Sequence, residues 1–327
     1  MNVLITGGAG FIGSHLVERH LANGDRISVV DNLSTGSLAN LDAFRGHPAF
    51  RFTDADILHW SGLDNAVAWA DRIYHMAAIV GVKKVLEDPV AVMAGNTTGT
   101  KQLLRAIQNG GRNPQVIIAS TSEVYGCNTK SSFAETDDIV LPSAGRLSWV
   151  NAVAKVADEF LALSYSREHG LNIVVARLFN SIGPNQAAHH GMVVPSFVRQ
   201  AVSGQPLTVY GEGQQTRCFC DVRDTVVALD QLAGCPEAWG EVVNVGNDQE
   251  ISIRGLAELV VRRANSGSPL HFAPGKDAYG EEFEDVAHRR PELNKLRALT
   301  GFAPTWTLSE TLDDLIDRAR ARNLRVA

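Results

Sequence analysis

The chain has 327 residues, 45% hydrophobic and 20% charged, with 30 basic against 36 acidic side chains and a net charge of -6. That balance excludes a general attraction for nucleic acid or for an anionic membrane surface. No run approaches the roughly 20 apolar residues of a membrane span, and glycines with Ser14 interrupt the apolar core that a signal peptide needs. The four cysteines, Cys127, Cys218, Cys220 and Cys235, are too few for a disulfide scaffold, and Cys218-Phe219-Cys220 lacks zinc-site spacing. Reduced thiols, no metal and a cytoplasmic location are the expectation, in a chain long enough for about two domains at about 150 residues each.

In chain order, the apolar run Val3-Leu4-Ile5 reads as a strand and Ser14 to Leu21 as a helix. Between them lies Gly7-Gly8-Ala9-Gly10-Phe11-Ile12-Gly13. A glycine loop at a strand-to-helix turn brings backbone close to a pyrophosphate, which the helix start also attracts through its free N–H groups and partial positive charge. Arg26 to Val30 reads as a second strand delivering Asp31, a carboxylate suited to adenosine ribose hydroxyls and repulsive to a 2′-phosphate, so the expected cofactor is NAD. Asn32 and Ser34 follow in a polar stretch able to wrap the adenosine. Phe50 to Phe52 is a third strand leading to Asp56-Ile57, an acceptor and an aliphatic face for adenine.

A helix over Leu63 to Ala70, a strand over Arg72 to Met76 running into the small Ala77-Ala78, a long helix over Val90 to Asn109 with Pro89 at its start, and a strand over Gln115 to Ala119 continue the alternation. Such alternation specifies a parallel doubly wound sheet of the Rossmann type. The fifth strand ends at Ser120-Thr121-Ser122-Glu123-Val124-Tyr125-Gly126, where an α/β sheet presents ligand groups at its carboxyl edge. Helical period then runs from Ser148 to His169 and puts Asn151 and Lys155 one turn apart on one face.

These residues resemble the extended short-chain dehydrogenase/reductases, in particular the NAD-dependent nucleotide-sugar epimerases, decarboxylases and dehydratases. The resemblance spans nearly the whole chain. It rests on Gly7 to Gly13 with Asp31, Asp56-Ile57, His75 to Ala78, Asn96 to Thr100 and Ser120 to Gly126, and later on Arg177 to Pro184, Gly191 to Pro195, Tyr210 to Gly213 with Arg217, and Asn244 to Gly246.

The resemblance implies a Tyr-x-x-x-Lys pair in which lysine grips the nicotinamide ribose and the tyrosine moves a proton. Here Lys155 is present, Asn151 stands in the tyrosine position and Ala154 replaces the common serine. An amide does not titrate in the useful range and cannot serve as a general base, a role worth about 10²–10⁴ in rate. Three substitutes are open: Glu123, since the Thr121-Ser122-Glu123 stretch takes part in catalysis in the decarboxylases of this family; the phenol of Tyr125, more readily a supporting residue; or a water held by Asn151, Thr121 and Lys155.

The resemblance further implies an NAD-binding domain over residues 1–180, with a later strand and helix near 220–250, and a smaller C-terminal α/β domain, mainly substrate-binding, over 181–327. In that second part Asn180, Val193, Arg217, Arg289 and Tyr279 are expected to meet the substrate, a UDP-sugar; Leu207 to Tyr210 reads as an edge strand, and Arg290 as a surface ion pair. Helices near Ile253 to Ala264 and Leu308 to Arg322 read as structural. The expected reaction is C4 oxidation followed by epimerisation or decarboxylation of a UDP-hexuronate or UDP-hexose. The rival readings are a non-catalytic regulatory or scaffold subunit and an atypical dehydratase. A homodimer built on the helices at Val90–Asn109 and Trp149–His169 is also implied.

Overall fold

The structure, a computed structural model, describes residues 1–187, 192–275 and 286–326. Six strands alternate with helices through its first half: β1 Asn2–Thr6, α1 Phe11–Ala22, β2 Arg26–Asp31, β3 Phe50–Asp54, α2 Leu63–Trp69, β4 Arg72–His75, α3 Val82–Glu87, α4 Pro89–Asn109, β5 Gln115–Thr121, α5 Val150–His169 and β6 Ile173–Leu178. The strand Val242–Val245 joins them from far down the chain, giving a seven-stranded parallel sheet in the order Val242–Val245, β6, β5, β4, β1, β2, β3.

Alternation of side chains divides the core into two layers. Val3, Ile5, Tyr74, Ile117, Val174 and Ala176 point to one face, where they pack with Leu16 and Val17 of α1 and with Val226 and Leu229 of the helix Val222–Ala233. Their neighbours Leu4, Ile73, Val116, Ile118, Ile173 and Val175 point to the other, against Leu63 and Val67 of α2, Leu103 and Ile107 of α4 and Ala162 of α5. Strands covered on both faces must be apolar at every position, and these runs are. Helix α4 starts as its sequence requires, with Pro89 in the first turn and the Asp88 carboxylate accepting from Ala91 N at 3.0 Å.

The later chain builds a separate apolar cluster from α6 Val193–Val202, the parallel strand pair Leu207–Tyr210 and Leu270–Ala273, the helix Ile253–Arg263, and Leu312 and Ile316 of the C-terminal helix Leu308–Val326. A three-stranded sheet of Glu250–Ser252, Thr216–Cys218 and His288–Arg289 lies beside it. The expected edge strand Leu207 to Tyr210 and both expected late helices form.

Two local readings differ from the structure. The fifth strand runs on through Ser120 and Thr121, which pair with Arg177 and Leu178, because the Ser120 hydroxyl is turned inward and donates to Glu159 Oε1 at 2.5 Å. The short helix α3, Val82–Glu87, was not legible as a helix at all.

Candidate active site

The carboxyl ends of β1 to β6 open into one cavity of about 1870 Å³ that runs on beneath α6 and the later small sheet. Ligand clefts usually measure about 300–1,000 Å³, so this one has room for two ligands end to end.

Its floor begins at the glycine loop. Gly7 has φ +72°, and a β-carbon there would lie 2.6 Å from Ala77 N; one on Gly13 would lie 2.3 Å from Gly7 O. Only glycine therefore lets the loop close on itself and lie against the end of β4. Helix α1 has Gly10 at its N-cap with no side-chain cap among the described residues, and Gly10, Phe11, Ile12 and Gly13 line the cavity. An uncapped start of a twelve-residue helix is a seat for a pyrophosphate. Ala77 and Ala78 form the adjoining wall.

Asp31 closes the adenosine end. Its Oδ2 accepts from Ala9 N at 3.0 Å and its Oδ1 from Leu33 N at 2.8 Å, so it ties the glycine loop to the turn after β2. Each oxygen keeps a further lone pair for a ribose hydroxyl. Burial raises its pKa, against the pull of those two N–H groups. Asn32 Nδ2 donates to Asp56 Oδ2 at 3.1 Å, Ser34 N to Asn32 Oδ1 at 3.1 Å, and Leu58 N to Asp56 Oδ1 at 2.9 Å, a lattice that includes Ile57 at the cavity edge. Loop, helix start, acidic strand end and volume together fit a dinucleotide such as NAD.

Behind the loop, His75 joins Thr6 Oγ1 at 2.8 Å to Thr100 Oγ1 at 3.2 Å. Thr6 Oγ1 also accepts from Ala77 N at 3.2 Å and Thr100 donates to Asn96 O at 3.2 Å, which assigns the Thr6 hydroxyl as donor to Nδ1 and Nε2–H as donor to Thr100. Burial, then the Lys155 charge, pushes the imidazole down to about 3 and keeps it neutral.

At the centre, Asn151 Nδ2 donates to Glu123 Oε2 at 3.0 Å, and Arg289 Nη1 lies 3.9 Å from Glu123 Oε1. Glu123 sits in the short turn Ser122–Tyr125, whose start is capped by Thr121 Oγ1 accepting from Glu123 N at 3.2 Å. Its side chain is 37% exposed to the cavity. Lys155, one turn along α5, also lines the cavity, and its Nζ donates to Asp158 Oδ2 at 3.3 Å. Thr121, Glu123, Asn151 and Lys155 all line this cavity, with Asn151 and Lys155 one turn apart on α5 as their spacing predicted.

Ser122 is not with them: it is 4% exposed and does not line the cavity, because the turn after β5 rotates it into the protein. Tyr125 is not available either. Its hydroxyl donates to Asn244 Oδ1 at 2.7 Å, its ring stacks on Phe133 at 4.8 Å under the Arg177 guanidinium, and burial pushes the phenol up to about 12. It holds the turn from behind, as a supporting residue.

At the far end, parallel pairing puts Arg217 and Arg289 in register on adjacent strands, both facing the cavity. Asn180, its amide donating to Cys218 O at 3.2 Å, and Val193 at the start of α6 line the same end. Arg290 lies away from it, 3.8 Å from Glu250 on the surface. Tyr279 lies outside the described residues.

Two contributors were given no site role in the sequence, Asn96 standing only among the residues that carry the resemblance. Asn96 accepts from Ile79 N at 2.7 Å, returns a bond to Ile79 O at 3.1 Å and donates to Asn151 Oδ1 at 3.3 Å. Asp158 backs Lys155 from one turn on, a spacing that could have flagged it.

The sequence profile described as the NAD dependent epimerase/dehydratase family matches residues 3–246. A UDP-N-acetyl-alpha-D-glucosaminuronate decarboxylase of Bacillus cytotoxicus is 35% identical over 318 residues, covering 96% of each chain. The UDP-glucuronic acid decarboxylase 1 of Xenopus tropicalis is 33% identical over 314 residues, 96% of this chain and 71% of that one. Among solved structures, the UDP-glucuronic acid 4-epimerase of Bacillus cereus in complex with UDP-glucuronic acid and NAD superposes with a TM-score of 0.88 at 26% identity, over 98% of this chain and all (100%) of that one. With the glycine loop, the acidic end of β2 and the parallel sheet all in place within the matched span, the chain belongs to the NAD-dependent epimerase/dehydratase family.

Proposed function

We propose that this protein is an NAD-dependent enzyme that oxidises a UDP-hexuronate at C4 and releases its carboxylate as CO₂, with Glu123 handling the proton that a tyrosine would otherwise carry. The observation behind this is the 3.0 Å bond from Asn151 to the Glu123 carboxylate, with the Arg289 guanidinium beside it. The residues that would hold NAD are the loop from Gly7 to Gly13, Asp31, Asn32, Asp56 and Lys155. When bound, NAD supplies an acceptor for hydride at the sugar carbon and a donor for its return.

The chain's own groups supply the rest. Glu123 accepts the C4 hydroxyl proton, with the Asn151 N–H and the Arg289 guanidinium beside it. A C4 ketone makes a C6 carboxylate a β-keto acid, which loses CO₂ readily. Loss of CO₂ leaves a C5 carbanion (enolate) that takes its proton from solvent, the one net proton the reaction consumes. The protonated Glu123 gives its own proton back to the C4 oxygen as the ketone is reduced. Arg217 and Asn180 face the diphosphate end, where a guanidinium pairs bidentately with phosphate oxygens. Further parts of this reading are a division into an NAD-binding unit (1–180 with 220–250) and a mainly substrate-binding unit (181–327), a homodimer through α4 and α5, and action in the cytoplasm. Phe160, 67% exposed on α5, and the free cysteines support the last two.

The test is incubation of the purified protein with NAD and UDP-glucuronate, followed by proton NMR and mass spectrometry. A pentose nucleotide with release of CO₂ is expected. An unchanged sugar with NAD demonstrably bound overturns the reading for this substrate.

A further inference from the structure

Lys155 reaches the cavity wall with its side chain only 6% exposed, and its ammonium is held from behind by Asp158 at 3.3 Å. Asp158 is fully buried, its Oδ1 has no hydrogen-bond partner among the described residues, and burial raises its pKa against the pull of Lys155. The other charges nearby are already matched. Glu159, the next residue of α5, is engaged by Arg177 at 2.8 Å and by Ser120, and His75 is neutral. A buried carboxylate is costly unless it answers a charge, and the charge this one answers faces the cavity.

We propose that Asp158 is a positioning residue that makes Lys155 one end of a neutral pair, so that the site holds oxidised and reduced nicotinamide with comparable strength. The proposal rests on the reading that NAD lies with its nicotinamide half beside Lys155. The oxidised ring is cationic and the reduced ring neutral. A lone ammonium would therefore repel only the oxidised form, and a lone carboxylate would attract only that form. A reaction that removes a hydride and later returns it stalls when one form is held far more tightly. With Asn151 in place of a phenol, there is no tyrosine whose ionisation an unpaired lysine must assist, so pairing the lysine sacrifices nothing.

The experiment is calorimetric titration of NAD and of NADH into the full-length protein and its Asp158→Asn, Lys155→Met and doubly substituted variants. The ratio of the NAD to the NADH dissociation constant should rise about tenfold in Asp158→Asn, on the scale of unit charges several ångströms apart at an effective dielectric near 20. It should fall by a similar factor in Lys155→Met and return to the starting value in the double variant. If Asp158 served folding alone, both nucleotides would weaken together and the ratio would stand still, which overturns the proposal. Should Asp158→Asn fail to fold, an unchanged ratio in Lys155→Met does so by itself. Failure of the unsubstituted protein to bind either nucleotide would instead remove the cofactor reading, and the proposal with it.

Discussion

Asn151 donates to Glu123, and the direction of that bond is fixed by a backbone amide on another element. Ile79 N–H can only donate, so Asn96 must present its oxygen to Ile79 and its amide nitrogen to Asn151 Oδ1; Asn151 is then left with its own nitrogen toward Glu123. The residue in the tyrosine position is thus a donor aimed at a carboxylate.

If the proton moves through that carboxylate, Glu123→Gln should lower kcat by about 10²–10⁴ while leaving NAD affinity near its starting value. Asn151→Asp sets a second carboxyl group against the first and should lower kcat as well, because two close carboxylates resist ionising together. Steady-state rates by NMR, with calorimetry for NAD, measure both. Full turnover in Glu123→Gln removes the glutamate from the mechanism.

The buried histidines make stability fall with acidification. Desolvation lowers His15, His20 and His75, the last to about 3. Between about 6.5 and that value the unfolded chain binds a proton at His75 that the folded one does not, so stability rises with pH across this window and is lost as pH falls, by up to about 1.4 kcal/mol per unit. Asp31 and Asp158, raised by burial, act oppositely above 3.8. The informative quantity is therefore the difference between wild type and His75→Gln. Urea unfolding from pH 7 to 4 should give a flatter profile for the variant; parallel profiles would show that His75 is not neutral in the folded protein.

Gly13→Ala places a methyl group where Gly7 O stands, at 2.3 Å, and the contact is with backbone that cannot swing away. NAD affinity should drop more than tenfold. Asp31→Asn replaces an acceptor of two N–H bonds by a group that accepts on one side only; it should weaken NAD without creating affinity for NADP, since the glycine loop itself loosens. Fluorescence titration with both nucleotides reads each outcome.

Phe160, on the exposed side of α5, and Val90, 76% exposed at the start of α4, are large apolar groups left in water by the single chain. Phe160→Glu should convert a dimer to monomer at micromolar concentration in sedimentation velocity. A wild-type protein that already sediments as a monomer refutes the dimer.

The sequence made the NAD half readable because backbone geometry leaves marks in it. Gly7 and Gly13 are required by contacts under 3 Å, and strands covered on both faces, such as Val116-Ile117-Ile118, must be apolar throughout. Motif resemblance likewise placed Thr121, Glu123, Asn151 and Lys155 on one wall. What stayed hidden depends on side-chain direction. Ser122 and Glu123 are adjacent, yet the turn sends one inward and the other into the cavity. Tyr125, read more readily as a supporting residue, is one, but its burial as a strut behind the turn was not legible. Arg289 was expected to meet the substrate, while its guanidinium also comes within 3.9 Å of Glu123, a proximity created by pairing of His288–Arg289 with Thr216–Cys218 that no local pattern announces. Asp158 stands one turn from Lys155 in the sequence, but only its burial separates it from an ordinary surface ion pair.

The position of Val242–Val245 at the outer border of the main sheet governs how the protein can be made. Its partner, β6, is finished some sixty residues earlier in synthesis, about 3 to 13 seconds at ribosome speeds of about 5–20 residues per second. Through that interval β6 shows an unpaired, apolar border of the kind that recruits other strands. A nascent chain stalled before Val242 is accordingly the form most prone to aggregate, and the form on which a chaperone would have the greatest effect.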